Sequence, residues 1–147
     1  MVFHLDRRFV FDREPDVVWD ALSRPQDYPR WWSWLRSVDA DALTEGTTAR
    51  CLIRAPVPFT LRLALHVDRV EPGRRIEVTA AGDLTGTGAV SLIPHPTGTE
   101  IHLVWDLVPH QRLARAAGLL SGPLLQWGQD WVVRTGARQF RQRALRP

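Results

Sequence analysis

The sequence predicts an α+β fold in which a seven-stranded, curved antiparallel sheet closes around a long C-terminal helix, with two short helices between strands 1 and 2. Three observations carry this. Apolar and polar residues alternate with period two through most of residues 2 to 107. Short turns such as Pro72-Gly73 and the 94–98 stretch join the alternating runs, so neighbouring strands run antiparallel without helical crossovers. From Gln111 to about Leu145 the apolar period becomes helical instead. A sheet of that size twists and curls, and its concave apolar face accepts only one long covering element.

In order, Phe3, Leu5, Phe9 and Phe11 share one face of a first strand opposite His4, Asp6 and Arg8, with Arg7 intruding on the apolar side. Residues 12 to 14 and Pro15 read as a helix start, and Val18, Trp19, Ala21 and Leu22 form its apolar face. Arg24 and Pro25 end that helix. A second short helix or turn passes through Asp27, Tyr28 and Pro29 into Trp31, Trp32 and Trp34. Three indoles this close cannot all face one way. They form an aromatic plug for the core or lend a wall to a pocket.

Residues 38–43 and 48–53 read as strands joined at Glu45-Gly46, and Pro56 and Pro58 then bend the chain. Phe59, Leu61, Leu63, Leu65 and Val67 make the clearest inward face, and Val70 breaks its parity at a bulge or strand end. Ile76, Val78 and Ala80 continue in a further strand. The 82–88 stretch (GDLTGTG) forms the next corner, and residues 89–93 resume the extended pattern. Ile101, Leu103, Trp105 and Leu107 close the sheet.

The final helix is expected from Pro123 to Leu145, about 34 Å at roughly 1.5 Å per residue. At 100° per residue Leu124, Trp127, Gly128, Trp131, Val132 and Thr135 share one arc, and Gln126, Gln129, Asp130, Arg134 and Arg141 lie opposite. Two indoles on that stripe would bury about 150 to 250 Å² each, roughly 4 to 6 kcal/mol as an upper bound. This arc is therefore expected to face the sheet.

A chain of 147 residues matches one domain, residues 1–147, and 44% apolar residues with seven Trp argue against disorder. The N-terminus lacks a signal peptide's apolar stretch and no run reaches about eighteen apolar residues, so a cytoplasmic protein without stable membrane insertion is expected. All nineteen basic residues are arginine, giving a pI of about 10.3 at a formal charge of only +3. They are scattered beside acids, which favours a solvated surface and no nucleic-acid partner. Cys51 stands alone, the five histidines lack metal-ligand spacing, and no metal or cofactor is expected.

GDLTGTG lacks the Lys and the following helix of a phosphate loop. Ser33 and Ser91 lack a nucleophile-elbow context, and nothing activates Ser121. Asp68 and Asp106 fall on the outer face, where solvation or a partner such as Arg50 or Arg62 accounts for them. Polar groups within reach of the interior are the Trp N–H groups, Tyr28, Arg7, Thr135, Gln139 and Arg69. An interior this poor in acid, base and nucleophile favours binding over catalysis.

Glu14-Pro15 with Val18-Trp19 and Ala21-Leu22, Tyr28-Pro29 with Trp31-Trp32 and Trp34-Leu35, Gly82-Asp83-Leu84 with Gly86 and Gly88, Gly98-Thr99-Glu100-Ile101 and the long closing helix together resemble the SRPBCC superfamily. These START-like, helix-grip, Bet v 1-like proteins include a polyketide cyclase/dehydrase and lipid-transport branch, which this chain resembles over nearly its whole length. The resemblance implies a deep apolar cavity between sheet and helix, used for lipids, sterols, polyketides or plant hormones. Catalytic relatives place Arg, Tyr, Ser or His in the cavity, and no such set maps onto this sequence.

The leading expectation is a binder of a hydrophobic small molecule, a lipid, polyketide or aromatic metabolite, held by Trp31, Trp34, Leu61, Leu63, Leu65, Trp105, Leu124, Trp127, Trp131 and Thr135. An indole N–H or Thr135 would fix its orientation. Two alternatives stay open: a polyketide cyclase or dehydratase with a convergent acid/base pair, and a protein-interaction module exposing Trp32 or Trp34. The chain would act as a monomer or homodimer.

Overall fold

The computed structural model describes residues 2–40, 42–54, 60–113, 115 and 122–145, with side chains in the last stretch from Gln126 onward. Strand β1 (Phe3–Phe11) leads into helix α1 (Pro15–Leu22), a 3₁₀ turn (Pro25–Asp27) and helix α2 (Tyr28–Trp31). Six strands follow: β2 (Leu35–Asp39), β3 (Thr48–Ile53), β4 (Leu61–Glu71), β5 (Arg75–Gly82), β6 (Leu84–His95) and β7 (Gly98–Pro109). Helix α3 (Gly122–Gln139) closes the fold and continues as a π-helical stretch, Phe140–Ala144. All seven strands form one sheet in the order β1-β7-β6-β5-β4-β3-β2, each pair antiparallel. This is the expected architecture, with β1 added beside β7. Among the described residues no helix is long and apolar enough to cross a membrane.

Pro15 opens α1 where its missing N–H costs nothing, and Val18 and Ala21 bury its inner side. Strand β2, expected over 38–43, begins at Leu35 and ends at Asp39. The Leu35 N–H donates to the Trp32 carbonyl at 3.1 Å, Leu35 pairs with Ile53, and a bulge before Ser37 hides the alternation. Pro56, Pro58 and Phe59, expected at the bend into β4, lie outside the described residues. The parity break before Val70 is a bulge between Val67 and Arg69, after which β4 runs on to Glu71.

The 82–88 stretch is mostly strand rather than corner. The turn is confined to Gly82-Asp83, where the Asp83 carboxylate accepts the Arg62 N–H at 2.8 Å and the Asp83 N–H donates to the Arg62 carbonyl at 2.9 Å. From Leu84 onward β6 pairs residue by residue with β7. Gly86 has φ 150°, and a Cβ there would lie 2.0 Å from the Asp106 carbonyl oxygen, so the strand bends at a position that excludes a side chain.

The convex face carries cross-strand polar pairs. His4 meets Asp106 at 2.6 Å, His102 meets Asp6 at 2.6 Å, and Arg8 meets Glu100 at 2.9 Å. The hydrogen bond from His102, with its charge, holds the Asp6 carboxyl below its usual value. The expected arginine partners of the two outer aspartates are not the ones used. Asp68 accepts from the Thr79 hydroxyl at 2.6 Å and Asp106 pairs with His4, because each lies directly or diagonally across from that residue in register.

Phe11, Val18, Ala21, Trp31, Leu92, Ile101, Phe140 and Leu145 form the main buried cluster, which locks α1, α2 and the C-terminal turn onto one end of the sheet. Phe140 packs edge-on against Phe11 and Trp31 with ring centroids 5.4 and 5.6 Å apart. The expected single helix to Leu145 widens after Gln139, with the Leu145 N–H reaching back to the Phe140 carbonyl at 3.2 Å. The Leu145 carbonyl in turn accepts two bonds from the Arg13 guanidinium, at 3.1 and 3.0 Å. Arg143 donates to the Trp31 carbonyl at 3.0 Å.

Candidate functional site

The sheet and α3 separate around a cavity of about 460 Å³, bordered at one end by Phe11, Ile101 and Phe140 of that cluster and inside the range of roughly 300 to 1,000 Å³ typical of small-molecule sites. Its sheet wall follows from strand parity. Leu61, Leu63, Leu65 and Val67 of β4, Ile76, Val78 and Ala80 of β5, and Ile101, Leu103, Trp105 and Leu107 of β7 all line it. Gly88 of β6 lies between Val78 and Trp105 in register, where a Cβ would sit 3.3 Å from the Trp105 Cβ. Tyr28, Trp32 and Trp34 close the side nearest β2, with Trp32 stacked on Trp34 at 5.3 Å.

The helix wall is made of Gly128, Gln129, Val132, Val133, Gly136, Ala137 and Phe140. This arc keeps Gly128 and Val132 from the expected one but is centred about a third of a turn away from it. Trp127 is 45% exposed, Trp131 is partly exposed, and neither lines the cavity. Thr135 is buried but also outside the lining, and the Leu124 side chain lies outside the described residues. The physical reason is room. Trp105 from the sheet and Trp32 and Trp34 from the β2 side already reach α3, and two more indoles on the inner arc would fill the space. The helix meets these rings with small residues: a Cβ on Gly136 would sit 3.4 Å from Trp34 Cζ2.

Two indoles tie α3 in place. Trp32 Nε1 donates to the Gly136 carbonyl at 3.0 Å, and Trp105 Nε1 donates to Gln129 Oε1 at 3.0 Å. Gln129, expected on the solvent side, thus turns its amide toward the sheet and packs into the cavity wall against Trp105. Its Nε2, and Trp34 Nε1, are shut off from solvent with no hydrogen-bond partner among the described residues. Each such donor costs about 1 to 3 kcal/mol. The signal that could have found Gln129 was its helical spacing with Val132, Val133, Gly136 and Phe140.

The other interior polar candidates are occupied elsewhere. The Tyr28 hydroxyl donates to the Leu22 carbonyl. Gln139 accepts the Ser33 N–H at 3.2 Å and donates to the Ser33 hydroxyl at 2.9 Å. Arg7 reaches Asp130 on the flank of α3 at 3.4 Å, and Arg69 pairs with Glu71 at 2.8 Å. Trp31, expected in the site, belongs to the buried cluster and is not in the lining, whereas Trp32 is. Ser121 lies outside the described residues.

Burial pushes the Cys51 thiol up to about 11, and burial together with Cys51 raises the Tyr28 phenol above its usual range. Both line the cavity, and both are neutral at physiological pH. Among the described residues the lining holds no Asp, Glu, His or Arg. The arrangement can desolvate an apolar molecule, and it presents almost no polar surface to it.

A family model described as polyketide cyclase/dehydrase and lipid transport matches residues 2–145. The chain belongs to this family. With it comes membership of the START-like SRPBCC superfamily, as the resemblance implied. No curated protein matches the sequence. Among solved structures, a START superfamily protein from Mycobacterium smegmatis superposes with a TM-score of 0.75 at 13% identity, covering 96% of this chain and 96% of that one. The Zhui aromatase/cyclase from Streptomyces sp. R1128 gives 0.73 at 16% identity over 99% of this chain and 92% of that one. A conserved protein from Geobacillus kaustophilus gives 0.75 at 10% identity, covering 98% and 95%. At these identities the likeness concerns the fold. Within the polyketide cyclase/dehydrase and lipid transport family, this chain's lining is hydrocarbon, indole, one phenol, one thiol, one hydroxyl and one amide apart from glycine.

Proposed function

We propose that this chain, acting as one ligand-binding domain, sequesters a hydrophobic small molecule, a lipid, polyketide or aromatic metabolite, between its sheet and α3. The observation that carries this reading is the cavity of about 460 Å³ whose described walls are almost entirely apolar. Binding would come from removing ligand and wall surface from water, at roughly 0.8 kcal/mol per buried methylene, or about fourfold in Kd. Membership of a family described by both cyclases and lipid transport supports the ligand class. Cyclase or dehydratase chemistry would require two convergent acid/base groups, and the neutral lining speaks for binding instead.

Titration with a homologous series of alkyl-substituted naphthalenes, followed by tryptophan fluorescence and calorimetry, tests this. Affinity is expected to rise about fourfold per methylene until the cavity is full. Ala80→Phe, which places a ring on the inner face of β5, is expected to abolish binding while the protein stays folded. Native mass spectrometry of protein from its own host would identify a retained ligand. Absence of saturable binding across the series, or unchanged affinity in Ala80→Phe, would reject the reading.

A further inference from the structure

We propose that the outward face of α3 docks on the surface of an anionic phospholipid bilayer, with Trp127 and Trp131 in the headgroup layer and Arg134 and Arg138 on lipid phosphates. At 100° per residue these four side chains fall within an arc of about 60°, along about 16 Å of helix. That line is centred about half a turn from the residues of α3 that line the cavity. Trp127, Arg134 and Arg138 are exposed, and Trp131 is partly so. An indole left 45% exposed, on a helix that buries Val133 and Phe140, is apolar surface the fold itself does not use.

Charge selects the partner. Residues 111–147 hold seven arginines and one acid, Asp130, whereas residues 1–110 hold twelve arginines and fifteen acids. Asp130 is taken by Arg7 at 3.4 Å. Among the described residues neither Arg134 nor Arg138 forms an ion pair, and the Arg134 guanidinium donates to the Asp130 main-chain carbonyl at 3.3 Å. A helix dipole favours cations near its C-terminus, which accounts for Arg138 but not for two solvent-facing indoles on the same line. Indole and guanidinium together match the interface of a bilayer, where Trp settles among headgroups and Arg pairs bidentately with phosphate. A stripe along the outside of a helix is convex, and a plane meets it without a matching groove. One helix thus walls the cavity on its inner side and meets the membrane on its outer side.

Co-sedimentation of the intact protein with vesicles tests this, an equimolar phosphatidylcholine–phosphatidylglycerol mixture being compared with phosphatidylcholine alone. At low salt the protein should partition about tenfold or more in favour of the mixed vesicles, and raised salt should shrink that difference. Arg134→Gln combined with Arg138→Gln should lower partition onto the mixed vesicles by about 25-fold, at about fivefold per arginine. Trp127→Ser should lower it by about fivefold. None of these positions lines the cavity, so the naphthalene titration in lipid-free solution should be unchanged in every variant, with the thermal midpoint reporting that each one folds. Absence of partition, equal partition onto the two kinds of vesicle, or partition that survives the arginine substitutions would overturn the docking and leave the cavity's function standing. Dependence on the arginines without dependence on Trp127 would make the stripe a site for a soluble polyanion and overturn it as well.

Discussion

The two walls of the cavity are built from opposite materials. The sheet contributes bulky side chains, Leu61, Leu63, Leu65, Leu103 and Trp105 among them, whose positions are locked by register with neighbouring strands. The helix contributes Gly128, Val132, Val133, Gly136 and Ala137, and one amide, Gln129. The sheet therefore supplies rigid apolar surface, while α3 supplies the room. A change in ligand preference within this architecture is expected to come first from substitutions on the helix, where a single side chain alters volume or hydrogen bonding without disturbing a ladder.

The largest effect that would break this contrast is expected in the sheet. Gly86→Val places a Cβ against the Asp106 carbonyl, at a φ of 150° that side chains rarely adopt, and should destabilise by more than about 4 kcal/mol. Urea denaturation or failure to recover folded protein would report it. On the helix, Phe140→Ala removes a ring that is only 3% exposed and should cost about 3 to 5 kcal/mol. Trp127→Ser, on the outward arc, should cost less than about 1 kcal/mol by the same measurement. Equal costs at the two positions would mean that the helix is rotated from the orientation described.

A kinetic effect sharpens the description of the sheet wall. Cys51 is 7% exposed and its thiol is pushed up to about 11, so at pH 8 little of it is thiolate and a disulfide reagent should label the native protein far more slowly than the urea-unfolded chain. Equal labelling rates in the two states would contradict burial of the thiol in the cavity wall. The smallest effect is on the convex face. Asp6 is held below its unfolded value of 3.8, so the stability it contributes is complete above that pH and is lost as pH falls through the folded value. Asp6→Asn should lower the thermal midpoint slightly at pH 6, and the gap from wild type should vanish on acidification to about pH 2.

Strand parity was legible because a strand has only two faces. Once Leu61, Leu63 and Leu65 point inward, in-register pairing carries the same assignment through Ile76, Val78, Ala80, Trp105 and Leu107, all of which line the cavity. Helix phase is a continuous angle, and α3 is apolar on two arcs. Weighting the indoles placed Gly128 and Val132 correctly but chose Trp127 and Trp131 over Val133, Ala137 and Phe140. The tryptophan cluster posed the same problem at close range, since Trp31 went to the buried cluster and Trp32 and Trp34 to the cavity.

Residue order alone was enough to establish the element sequence, the antiparallel meander, the concave apolar face and the family, because these rest on local periodicity and on motifs read along the chain. The rotation of α3, the choice among the three neighbouring indoles, and the inward turn of Gln129 onto Trp105 emerged only from packing. They depend on how much volume distant segments bring to one place. Trp105 lies 24 residues from Gln129, and Trp32 lies 104 from Gly136, yet these two contacts set which side of the helix looks inward.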